Sequence, residues 1–98
     1  MLNQKQLYIS VITELELLAY KGITAKEEKV IEEFVSQCKV ININNNIKLE
    51  TIRIRKAYKI KLPDSIIIAS ALYLDLPLIT SDFEFKKVEE LALIQYEK

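Results

Sequence analysis

With 98 residues, the chain has room for a single small domain (1–98) and limited apolar surface to bury. Half of it is hydrophobic, and 14 basic side chains are balanced by 14 acidic ones. No nucleic-acid partner can therefore be read from net charge. One cysteine and no histidine exclude a disulfide framework, His-dependent triads and His-ligated zinc, and leave carboxylates as the metal ligands to consider. No apolar run approaches about 18 residues, and the opening MLNQKQ carries no signal-peptide core. The expectation is a soluble α/β domain in a reducing cytoplasm, without a membrane partner.

In chain order, Leu7–Ser10 predicts a short strand. A helix follows from Val11, with Ser10 or Thr13 near its start, Ile12, Leu15 and Ala19 on one face, and Gly22 closing it. Thr24 with Glu27 has the spacing of a capping box for a second helix, whose apolar positions are Val30, Ile31, Phe34 and Val35. Val40–Ile43 predicts a second strand, Asn44–Asn46 a turn or cap, and Ile47–Tyr58 a third helix with Leu49, Ile52 and Ile54 apolar. Pro63 suits a helix's first turn, and Ile66 to Leu72 is apolar nearly all round, as in a buried helix. Leu78-Ile79 reads as a strand, 83–88 as a turn or short helix, and 91–94 as a last strand. Strands alternating with helices predict an α/β fold with a mostly parallel sheet.

Three acids fall at element boundaries: Glu16 on the first helix, Asp64 opening the buried helix, and Asp82 after the third strand. Each has a plain reading, as a solvated helix position, a first-turn acid favoured by the helix dipole, and a turn residue. Together they read differently. Carboxylates converging on one point repel unless a cation lies between them, and an all-oxygen set suits Mg²⁺ or Mn²⁺. Such a centre can activate water for phosphodiester hydrolysis. From Lys48 to Lys61 the chain carries Lys48, Arg53, Arg55, Lys56, Lys59 and Lys61 against one acid, Glu50. The cations, Arg53, Arg55, Lys56 and Lys61 among them, are candidates for holding phosphates, or else form an ordinary solvated face. Thr13, Thr80 and Ser81 are either hydroxyls that orient the carboxylates or simple cap and turn residues. The five tyrosines are scattered and form no base-stacking platform.

Three segments, Ile9-Ser10-Val11-Ile12-Thr13-x-x-Glu16-Leu17, Leu62-Pro63-Asp64-x-x-Ile67-Ile68-Ala69 and Leu78-Ile79-Thr80-Ser81-Asp82, resemble in order and spacing the PIN domain, in particular VapC-type toxins of bacterial toxin–antitoxin pairs. The resemblance spans essentially the whole chain. It implies a compact three-layer α/β ribonuclease that depends on Mg²⁺ or Mn²⁺, forms homodimers and is held inactive by a cognate antitoxin. It implies catalytic and metal-binding roles for Glu16, Asp64 and Asp82. Glu14 competes for the first role, but the Thr13-x-x-Glu16 spacing and the following Leu17-Leu18 favour Glu16.

The family pattern opens with a strand ending in an aspartate and one or two helices, ahead of the strand matched by 7–10. That opening, roughly 30 residues or more at typical element lengths, has no counterpart here, and no acid precedes Glu14. The strand is the central one of the family's sheet, so the strands at Leu7 and Leu78 are expected to lack a shared neighbour and to leave edges open to another chain. An internal start site, a fragment, a decayed toxin gene, or strands that close up or exchange in a dimer would each account for this. Truncation or decay is the expectation carried forward, with metal binding and catalysis severely weakened. The resemblance therefore implies a metal-dependent endoribonuclease, or the degenerate remnant of one. The alternative is a non-catalytic module that binds an antitoxin or its own copy.

Overall fold

The computed structural model describes residues 6–80, 85 and 87–95. The elements run β1 (Tyr8–Ser10), α1 (Val11–Ala19), α2 (Ala25–Ser36), β2 (Lys39–Ile41), α3 (Asn45–Ala57), α4 (Leu62–Leu74), β3 (Leu78–Thr80) and β4 (Leu93–Gln95). They fall into two compact units, residues 1–42 and 43–98.

In the first unit the chain passes from strand to helix at one residue. Ser10 keeps extended backbone angles, and its hydroxyl oxygen accepts from the N–H of Ile12 at 3.1 Å, satisfying a donor that the first turn of α1 leaves open. Tyr20 ends α1 in extended geometry, and Gly22 takes a φ of 91° in the turn that follows, a conformation that a side chain would strain. Gly22 thus serves the turn three residues beyond the helix rather than its cap. The predicted capping box is present. Thr24 Oγ1 accepts from the Glu27 N–H at 3.1 Å, and Glu27 Oε1 accepts from the Thr24 N–H at 3.0 Å. The Tyr20 hydroxyl donates to the same Glu27 oxygen at 3.0 Å, tying the end of α1 to the start of α2.

β2 returns parallel to β1, with Tyr8 opposite Lys39 and Ser10 opposite Ile41, so the two helices form the crossover that a parallel pair requires. The ladder matches the three residues of β1, which is why β2 stops at Ile41 rather than Ile43. This unit buries little. α1 buries none of its residues, and Val35 is the buried position of α2, whereas Val30 and Phe34, predicted on the same apolar face, are exposed.

The second unit holds the main core. Asn44 caps α3 through a 2.8 Å bond from the Ile47 N–H to its side-chain oxygen. The face of α3 that turns inward is Ile47, Thr51 and Ile54, a spacing of four and three residues. Leu49 and Ile52, predicted as partners of Ile54, lie off that stripe and are 55% and 45% exposed. Helical geometry puts residue 52 about 200° from residue 54 around the axis, so both cannot face one core.

α4 packs on α3 and buries Ser65 and Ile68–Ala71. Ile54, Ile60, Ile68, Ala71, Phe85, Val88 and Leu91 form one cluster, flanked by Tyr58, Ile67, Leu72 and Leu78. The buried hydroxyls cost little because each finds a carbonyl one turn back: Thr51 bonds to Ile47 O, Ser65 to Lys61 O and Ser70 to Ile66 O, each at 2.8 Å. α4 ends on Asp75 in the left-handed conformation, its N–H bonded to the carbonyls of Ala71 and Leu72.

β3 then pairs in parallel with β4, Leu78 opposite Leu93 and Thr80 opposite Gln95. The last strand therefore starts two residues later than predicted, since Leu91 is used in the core cluster. Residues 83, 84 and 86 of the turn predicted at 83–88 lie outside the described residues, and within the rest Phe85 and Val88 are buried. Among the described residues, the expected parallel pairing is present as a two-stranded parallel ladder in each unit. Neither β1 nor β3 has a second strand neighbour among the described residues.

Candidate metal and nucleic-acid site

Asp64 sits in the first turn of α4, directly after Pro63. Lys61 at the N-cap makes no side-chain capping bond, so the N–H groups of the first turn and the helix dipole favour a carboxylate here. Asp64 is half-buried, and the next residue, Ser65, is fully buried with its hydroxyl tied to Lys61 O. The carboxylate is thus carried by a helix turn whose backbone is anchored in the core of its unit.

In the other unit, Glu16 is exposed on α1 and opens onto a shallow surface hollow with Leu15, Ala19 and Tyr20. Glu14 and Thr13 are half-buried on the same helix. Residues 14 and 16 project about 200° apart around the helix, so only one of these acids can serve a given site. Asp82 and Ser81 lie outside the described residues, and Thr80 closes β3.

The basic segment separates into two kinds of residue. Arg53 is held within the fold: its guanidinium meets Glu50 at 2.6 and 3.1 Å and Glu90 at 2.8 and 3.4 Å. The Tyr58 hydroxyl donates to the same Glu90 carboxylate at 3.2 Å. These contacts have electrostatic consequences. The hydrogen bonds from Arg53 hold Glu50 below the usual carboxylate range, and the two carboxylates raise Arg53 further above its own. Desolvation, followed by the charge of Glu90, raises the Tyr58 phenol.

Arg55 donates to the carbonyl of Ile60 at 2.7 Å, bracing the turn between α3 and α4. Lys56 and Lys61 are exposed and form no ion pair among the described residues. A phosphate would have to displace two carboxylates to reach Arg53 but could meet either lysine directly. The Arg53 network escaped the sequence reading because Glu90 lies 37 residues away. Only the three-residue spacing from Glu50 to Arg53 signals it in the sequence.

The donor chemistry of Glu16, Asp64 and Asp82 is all carboxylate oxygen and fits a hard divalent cation. Among the described residues, no group of three or more His, Cys, Asp or Glu side chains gathers to hold a metal ion. With Asp82 outside those residues, the fit to a metal rests on donor type.

A PIN-domain model matches residues 1–91, a span that includes all three acids. The chain belongs to the PIN-domain family. The solved structures it resembles come from toxin–antitoxin complexes, VapBC complexes among them. It is 32% identical to a chain of a toxin–antitoxin complex from Klebsiella pneumoniae, with 91% of this chain and 73% of that one covered and a TM-score of 0.76. With VapBC-1 from nontypeable Haemophilus influenzae it shares 25% identity over 97% of this chain and 78% of that one, with a TM-score of 0.81. DNA-bound VapBC from Salmonella typhimurium, 22% identical over 96% and 78%, gives a TM-score of 0.84 and supports the fold. No curated protein matches the chain. PIN domains are generally nucleases that use divalent metal ions.

Proposed function

We propose that this PIN domain is a metal-dependent endoribonuclease toxin that hydrolyses RNA phosphodiester bonds and is restrained by a cognate antitoxin protein. One observation carries the reading. Within a family match that spans all three acids, Asp64 stands in the first turn of a core-anchored helix whose dipole favours a negative charge. In this reading Glu16, Asp64 and Asp82 hold Mg²⁺ or Mn²⁺, with Thr13 and Thr80 orienting the carboxylates. When bound, such a cation supplies the Lewis acidity that generates a nucleophilic hydroxide near neutral pH.

Lys56 and Lys61 contact the RNA backbone, and Arg55 and Arg53 stiffen the segment that carries them. Arg53 joins the phosphate contacts only by leaving its carboxylates. The antitoxin reading is supported by the 32% identical Klebsiella chain, which belongs to a toxin–antitoxin complex. The exposed Leu15, Val30 and Phe34 of α1 and α2 leave apolar surface for a protein partner, an antitoxin or a second copy in a homodimer. Action in the cytoplasm follows from an RNA substrate. Among the described residues, no helix is long and apolar enough to cross a membrane.

The test is RNA cleavage by the purified chain with and without Mn²⁺, alongside Asp64→Asn. That substitution is nearly isosteric, so the variant should keep its thermal transition and lose metal-dependent cleavage by at least about 100-fold, as removal of a catalytic electrostatic group does. Unchanged Mn²⁺-dependent cleavage in a folded Asp64→Asn variant would overturn the assignment. Tight partner binding with no cleavage by the parent chain would replace it with the non-catalytic interaction module.

A further inference from the structure

We draw no further inference here: the strongest candidate, the apolar surface patch of α1 and α2 where Leu15, Tyr20, Val30 and Phe34 stay exposed, carries nothing because no feature of the structure shows what covers it.

Discussion

Two isoleucines on one helix give the sharpest test of the packing. Ile54 on α3 is fully buried in the main cluster, whereas Ile52, two residues earlier, is 45% exposed. Truncating Ile54 to alanine removes buried methyl and methylene groups and leaves a cavity among Ile60, Ile68 and Phe85, a change worth about 2–5 kcal/mol. Truncating Ile52 loses only part of that transfer energy, and alanine returns a few tenths of a kcal/mol in helix propensity. The net effect at Ile52 should stay within about 1 kcal/mol.

A domain of this size is stable by roughly 5–15 kcal/mol, so Ile54→Ala removes a large share of the total and Ile52→Ala a small one. Urea titration of the two variants and the parent, followed by circular dichroism, reads the difference directly. In a thermal melt each kcal/mol corresponds to about 4–8 °C. Ile54→Ala should therefore melt at least about 4 °C below Ile52→Ala. Equal losses, or a greater loss at Ile52, would refute the inward face of α3 described above.

Acidification should remove the contribution of the Glu50–Arg53 pair. The folded carboxyl of Glu50 is held below its unfolded value of about 4.3, so its stabilisation is present above that pH and is lost as pH falls through the folded value. With both partners partly exposed, Glu50→Gln should cost about 1 kcal/mol or less at pH 7 and flatten the decline below pH 4.5; an unchanged acid profile would refute the pairing. At the end of α4, Asp75→Gly should raise the melting temperature by a few degrees. It relieves a left-handed residue and removes a negative charge from a helix C-terminus, together worth roughly 0.5–1 kcal/mol. A lower melting temperature would show that Asp75 holds that turn in another way. Thr24→Ala should cost about 1 kcal/mol in urea titration by opening the capping box of α2, and no loss would mean that the cap does not form in solution.

Local chemistry was the part of this fold most open to reading from the sequence. The capping box at Thr24 and Glu27, the proline in the first turn of α4 and the alternation of strands with helices all follow from short-range rules, and all are present, while of Ser10 and Thr13 it is Ser10 that caps α1. What depends on distant partners was harder to read. Leu49 and Ile52 are as apolar as Ile54, and the sequence does not say which stripe of α3 meets α4. The strand bounds were set by ladder partners 31 and 15 residues away, and so shifted by two residues at β2 and at β4. Within the basic run from Lys48 to Lys61 nothing marks Arg53 as paired to a second carboxylate, because Glu90 joins it only on folding. For the candidate site, Asp64 stands where its motif put it. Choosing Glu16 over Glu14 depends on what each helix face meets, which spacing alone cannot decide.

The proposed metal binding by Glu16, Asp64 and Asp82 is read by a crystal structure of the chain soaked in Mn²⁺, with anomalous signal locating the ion. The expected result is a peak about 2.0–2.3 Å from carboxylate oxygens of Asp64, Asp82 and Glu16, at the distances hard cations take to such ligands. Carboxylates standing apart, with no peak among them, would contradict it.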